Sequence, residues 1–331
     1  MTTLIFRNRS AGGYSIERIF DGLYAYLQQH GTAVTRVELP HISTGLLNVA
    51  RNIWFVFRQR RTGILHVTGD VHYAALLCRS AKVVITVHDC VVLRRGTGIK
   101  RFVLWLLWFR LPLALADAVT VVSEKTRMEV LRTVSLPPDK ITVIPNYVGT
   151  EFRFSEKPFN GVCPRILHVG ATSNKNLARV VTALRGLRCT LVIVGALDAS
   201  IHDLLHDNRI DYENPEAVGS AAMVELYEAC DVVSFPSTYE GFGMPILEGQ
   251  AVGRPVLTSD AEPMRSVAGP NGALFVDPQR EDAIRSGFER LFDDASLRLA
   301  LVRAGLANVE RFSIDTVAAR YQAVYRTLDE S

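Results

Sequence analysis

The sequence is poor in cysteine, and its cysteines are badly placed for cross-linking: Cys78, Cys90, Cys163, Cys189 and Cys230 are scattered, odd in number and include no C-x-x-C pair. That argues against a disulfide framework or a thiolate zinc site, and for a reducing compartment. Long hydrophobic runs are also missing. The most apolar segment, FVLWLLWFRLPLALADAVTVV from Phe102, is interrupted by Arg110, Pro112 and Asp117, short of the roughly 18 unbroken apolar residues of a membrane span. The opening MTTLIFRNRSAGG has no basic segment leading into an apolar one, so no signal peptide is expected. No G-x-G-x-x-G follows the first strand-like run, and no acidic residue is read at a ribose-binding position closing the second, which counts against a dehydrogenase. Low-complexity tracts and solenoid repeats are absent, and an apolar content of 48% belongs to a globular chain.

A length of 331 residues predicts two domains of about 150 residues, each with its own core. LIFRN from Leu4, VTRVEL from Val34, ILHVT from Ile64, VVITV from Val83, AVTVV from Ala118 and ITVIP from Ile141 read as strands of a first half. RILHVG from Arg165, TLVIVG from Thr190, VVSF from Val232, PVLTS from Pro255 and ALFVD from Ala273 read as strands of a second. Mostly apolar strands alternating with helical patterns give parallel sheets covered on both faces. The expected fold class is α/β, two Rossmann-like parallel-sheet domains whose strand carboxyl ends face a cleft. The expected divisions are an N-terminal domain over 1–150, a C-terminal domain over 151–312, and a helix over 313–331 that can pack back on the first domain. Net charge is only +3, yet residues 1–150 carry 19 Lys and Arg against 9 Asp and Glu (+10), while residues 151–331 carry 18 against 25 (−7). Such asymmetry points one half at an anionic surface.

One stretch is not explained by folding alone. EGFGMPILEG, Glu240 to Gly249, follows the strand VVSF and its loop, and Pro245 suits the first turn of a helix because its missing N–H would be unpaired there anyway. A helix starting near Met244 aims N–H groups and the positive end of its dipole at the strand ends, a place for a phosphate or a sugar hydroxyl. Gly241 and Gly243 allow a ligand close to the backbone, while Glu240 and Glu248 can accept from different hydroxyls of one extended ligand. The alternative is a structural turn with two solvated glutamates. Lys175, just after RILHV and at the start of the next helix, can hold a diphosphate together with helix N–H groups. In the first half, Gly12 and Gly13 after LIFRN either admit a phosphate or form a plain turn, and His88 after VVITV is either a site residue or a loop residue. A glycosidase would place its two carboxylates on opposite sides of the scissile bond, which one loop and helix do not provide.

EGFGMPILE resembles the E-x7-E signature of the retaining glycosyltransferases of family 4, of bacterial polysaccharide type. ITVHDC, ADAVTVVSE, KITVIPN, ILHVG, NKNL, SFPSTYEGFGMPILEGQAVGRPVLTS and the late Y…Y helix fall in that family's order. The resemblance spans nearly the whole chain and is strongest from Arg165 to Pro278. It implies the GT-B fold and a hexosyltransferase-type enzyme that needs no metal or cofactor. By the resemblance, Glu248 holds the donor ribose, and Glu240 with the backbone of Phe242, Gly243, Met244, Pro245 and Ile246 holds the transferred sugar and diphosphate. Lys175 holds the diphosphate, and Gly13 and His88 meet the phosphate and sugar from the other domain, with Gly12 beside Gly13 read as donor-binding from its own place after LIFRN. Glu240, Lys175 and His88 are thus the implied catalytic set. Ala171 stands where many members have Arg, leaving Lys175 as the diphosphate's cation, and DYENPEAVGSAA departs from the common base-recognition loop. The donor therefore stays open between a GDP-mannose-like and a UDP-linked sugar. A GT-B sugar-nucleotide epimerase and an inactive sugar-nucleotide-binding subunit are the alternatives.

RNIWFVFRQRR from Arg51 and RRGTGIKRFVLWLLWFR from Arg94 mix aromatics with cations. Arg94, Arg95, Lys100, Arg101, Trp105 and Trp108 are read as a membrane-surface set; the alternative is a buried helix with a solvated basic edge. Nucleic acid is not expected, since no binding motif accompanies the charge. The expected partners are a nucleotide-sugar donor, a glycan or lipid-linked acceptor and an anionic membrane surface. The expected location is cytoplasmic, peripheral on the inner face of the cytoplasmic membrane.

Overall fold

The computed structural model describes residues 1–8, 15–59, 62–78, 80–94 and 97–330, without the side chains of Ser15 and Arg94. Gly12, Gly13, Arg95 and the Arg94 side chain lie outside the described residues. The chain divides into two compact units, residues 1–147 with 314–331, and residues 148–313.

In the first unit β1 (Thr2–Phe6), β2 (Val34–Glu38), β3 (Ile64–Val67), β4 (Lys82–Val87), β5 (Ala118–Val121) and β6 (Ile141–Val143) form one parallel sheet in the order β2-β1-β3-β4-β5-β6. In the second, β7 (Arg165–Val169), β8 (Thr190–Val194), β9 (Asp211–Glu213), β10 (Val232–Phe235), β11 (Val256–Ser259) and β12 (Leu274–Val276) form another in the order β12-β11-β10-β7-β8-β9. Each unit is Rossmann-like. β1, β3, β10 and β11 are buried along their whole length, as apolar, β-branched strands covered by helices on both faces must be. Strand order reverses once per sheet, between β1 and β3 and between β7 and β10.

Three features depart from the sequence pattern. β9 is not predicted, because DYE is a short polar strand at a sheet edge, where no apolar face is needed. Glu38 is the last residue of β2, correcting the reading that no acidic residue closes the second strand; it pairs with Arg36 at 3.3 Å. The segment after Thr97 is three joined pieces, the helix Gly98–Leu104, a π-helical stretch Trp105–Arg110 and the helix Leu111–Leu115. The π-helical stretch shifts the side-chain period, and with it the face each Trp presents. Among the described residues no helix is long and apolar enough to cross a membrane. The final helix, Ile314–Asp329, packs in the first unit against Ser15–Gln29, where it buries Tyr321 and Tyr325; the Tyr325 hydroxyl lies 2.7 Å from His66 Nδ1.

Candidate functional site

β7 and β10 are neighbours although β8 and β9 separate them in the chain, and the loops leaving a sheet where its order reverses are where open α/β folds bind ligands. Here the two loops are stitched together. Thr238 N donates to Asn174 O at 2.8 Å, Asn174 Nδ2 to Tyr239 O at 3.0 Å, and Asn176 Nδ2 to Pro236 O at 2.9 Å and Pro278 O at 2.7 Å. Asn176 has a φ of 66°, a left-handed conformation that asparagine tolerates better than most residues.

That stitching brings Lys175 to Glu240, 65 residues away, with Nζ donating to Oε1 at 2.7 Å. Asn174 Nδ2 reaches the same oxygen at 3.3 Å. The lysine stem lies over Gly170, whose φ is 94° and where a Cβ would come within 3.1 Å of it, and Nζ stands 4.8 Å from the Phe235 ring centre. Beneath, the buried His168 faces Ser234 Oγ at 3.3 Å; burial, and then the Lys175 charge, push it down to about 3.

The helix Met244–Ala251 begins where expected. Gly243 has a φ of 131°, and a Cβ on Gly249 would come within 2.9 Å of Val233 Cγ2, so one glycine turns the chain and the other lets the helix press on the sheet. Within the expected donor-binding backbone, Ile246 N donates to Gly243 O at 3.1 Å and Pro245 has no N–H. This narrows the candidate N–H groups to Phe242, Gly243 and Met244, the last two opening the helix. Glu248, 4% exposed, accepts from the Tyr227 hydroxyl at Oε2, 2.7 Å away. The resulting ion pair, helix start and buried carboxylate can meet a diphosphate and a set of sugar hydroxyls.

His88 belongs to the first unit, at the end of β4. Its Nε2 donates to Thr68 O at 2.8 Å, leaving Nδ1 as the acceptor, and burial pushes its pKa down against the Thr68 carbonyl and the charges of Asp89, Asp70 and Glu17. Arg7, at the end of β1, is ion-paired with Glu17 (Nη2 to Oε2, 3.0 Å) and with Asp70 (3.5 Å). Among the described residues, no group of three or more His, Cys, Asp or Glu side chains could hold a metal.

Trp108 is not a surface residue, which corrects the membrane-surface reading. It is 7% exposed, packs on Tyr73 at 4.7 Å, and donates Nε1 to Asp70 O at 2.8 Å. Trp105 is half-buried and donates to Thr133 O at 2.8 Å. The exposed face of this segment lies earlier, at Ile99 (84%), Lys100, Arg101 and Phe102 (57%). A second one lies on the helix Leu46–Arg58, where Leu46, Leu47, Trp54 and Phe57 are exposed. Sequence reasoning missed Tyr227, Asn174 and Asn176; the one available signal was asparagine on either side of Lys175.

Residues 14–152 match the family described as Glycosyltransferase Family 4, and residues 150–307 match Glycosyl transferases group 1. An N,N'-diacetylbacillosaminyl-diphospho-undecaprenol alpha-1,3-N-acetylgalactosaminyltransferase of Campylobacter jejuni is 26% identical over 66% of this chain and 62% of its own. Alignments with such curated relatives span from 25% to 62% of the relatives' length. Sucrose-phosphate synthase of Thermosynechococcus elongatus superposes with a TM-score of 0.82 at 18% identity over 99% of both chains. HepE of Anabaena, solved with UDP and glucose, superposes with a TM-score of 0.77 at 16% identity over 98% of this chain and 99% of that one. With two glycosyltransferase family models matching residues 14–307 between them and two six-stranded Rossmann-like units as in the GT-B structures, the chain has the GT-B fold and is akin to glycosyltransferase family 4.

Proposed function

We propose that the chain is a retaining glycosyltransferase that moves a hexose from a GDP-mannose-like or UDP-linked donor to a glycan acceptor, lipid-linked, in polysaccharide or glycolipid synthesis. The observation that carries this reading is the Lys175–Glu240 pair at the β7/β10 reversal, beside the start of the Met244–Ala251 helix. Lys175 and the helix start take the diphosphate, Glu240 the transferred sugar and Glu248 the ribose. The acceptor oxygen bonds to the anomeric carbon as the carbon–oxygen bond to the diphosphate breaks. The electron pair goes to the departing phosphate oxygen, which takes the acceptor's proton on the same face. Lys175 and the helix N–H groups stabilise the charge that grows there, so this reading requires no metal ion. The Campylobacter jejuni relative, by its name, acts on a diphospho-undecaprenol-linked sugar, which favours a lipid-linked acceptor. The apolar-basic faces around Trp54 and Phe102 favour a cytoplasmic protein peripheral to an anionic membrane.

The test is a thermal-unfolding screen with UDP-glucose, UDP-N-acetylglucosamine and GDP-mannose, followed by transfer to a polyprenyl-diphosphate sugar. A shift by one donor and a product that keeps the donor's anomeric configuration are expected. An inverted product, or epimerisation of the donor without acceptor, would overturn the reading.

A further inference from the structure

We infer that Tyr227 is a positioning residue that sets the orientation in which Glu248 meets the donor ribose; this rests on the ribose role proposed for Glu248. The helix Ser220–Ala229 is short, and Tyr227 is its single buried residue. A tyrosine wholly inside a protein needs a partner for its hydroxyl. Here that partner is a carboxylate on another helix, Glu248 Oε2, at 2.7 Å. The ring also packs on Phe152, which meets it edge-on at 5.4 Å with an interplanar angle of 88°.

The chemistry follows from the geometry. A carboxylate 4% exposed has little water to orient it, so its direction is set by the groups it bonds. A hydroxyl donating to an ionised acceptor is a short, strong bond, and it selects one rotamer of the glutamate. Tyr227 is therefore tied to ribose recognition through Glu248, although it touches no ligand itself.

Tyr227→Phe keeps the ring and removes the bond. Its binding to UDP and GDP, and to their 2′,3′-dideoxy counterparts, can be compared by calorimetry with wild type and Glu248→Gln. Wild type prefers the ribose form; in Tyr227→Phe that preference falls roughly tenfold, as loss of a hydrogen bond to a charged group predicts, with dideoxy binding unchanged. Equal losses for both forms would mean packing alone and overturn the inference. A preference kept in Tyr227→Phe but lost in Glu248→Gln would overturn the inference while leaving the ribose role of Glu248 standing. A preference kept in both variants would remove the ribose role itself, and the inference with it. Should Tyr227→Phe fail to fold, the wild-type Tyr227 ring resonances in tyrosine-labelled protein decide the matter: they shift with the ribose form and not with the dideoxy form, and equal shifts overturn the inference.

Discussion

Both units wind six parallel strands and reverse their order once, yet the residues at the two reversals are unlike. At β7/β10 the loops are stitched by asparagines, and Lys175 meets Glu240 beside a helix start. At β1/β3 the cation, Arg7, is held by Glu17 and Asp70, and His88 nearby is kept neutral by burial. The same topology thus leaves one reversal with a lysine on a single glutamate beside a helix start, and the other with an arginine shared between two carboxylates. The excess of positive charge in residues 1–150 shows itself on helix surfaces instead. Leu46–Arg58 and Gly98–Leu104 contain no Asp or Glu and expose apolar and basic side chains.

The sharpest way to break this contrast is Lys175→Ala. Turnover at saturating donor should fall about 10²- to 10³-fold, the usual effect of removing a group that meets charge developing in the transition state. Unchanged turnover with chemistry rate-limiting would remove Lys175 from the reaction. Next comes Arg254, whose guanidinium donates to Ser155 O at 2.8 Å, Val252 O at 2.9 Å and Glu228 O at 2.7 Å, tying the carboxyl ends of Ser220–Ala229 and Met244–Ala251. Arg254→Ala should destabilise the second unit by about 3 kcal/mol, because buried carbonyls lose a charged donor. Calorimetry should show a lowered transition for that unit alone.

Acidification offers a third test. Burial pushes His66 down to about 3 and lowers His72 and His88 in the first unit, while in the second His168 is pushed down to about 3. Each of these groups is neutral in the fold, so stability is lost as pH falls below about 6.5, at up to about 1.4 kcal/mol per pH unit for His66 and His168 down to about pH 3, and in the same direction for His72 and His88. Between pH 6.5 and 5 the first unit's unfolding transition should therefore fall more steeply than the second's, and equal slopes would contradict the account. The smallest effect expected is at the membrane. Lys100→Gln with Arg101→Gln should weaken sedimentation with anionic vesicles by about 1 kcal/mol per residue, and less at high salt. Salt-independent binding that survives the double change would return the helix to another role.

How much of this the sequence revealed depended on where the information lay. In the second unit it is local: VVSF, the loop and EGFGMPILEG run consecutively, so strand, turn and helix start could be read in one pass. Strands buried on both faces announce themselves by composition. β9 does not, because an exposed edge strand can be made of charged residues. Tyr227 was invisible for a different reason: its meaning comes from a hydroxyl bonded 21 residues away, which no local pattern encodes. Trp108 misled because an aromatic among cations looks the same on either face of a helix, and the π-helical stretch Trp105–Arg110 turned it inward.

Whether the second unit holds the donor at its β7/β10 reversal can be read from a crystal structure with the nucleoside diphosphate that stabilises the protein best. Diphosphate oxygens are expected about 2.7–3.2 Å from Lys175 Nζ and at the N–H groups of Gly243 and Met244, with the ribose hydroxyls on Glu248. A nucleotide bound at the β1/β3 reversal, or a diphosphate that makes no contact with Lys175, would contradict that placement of the donor.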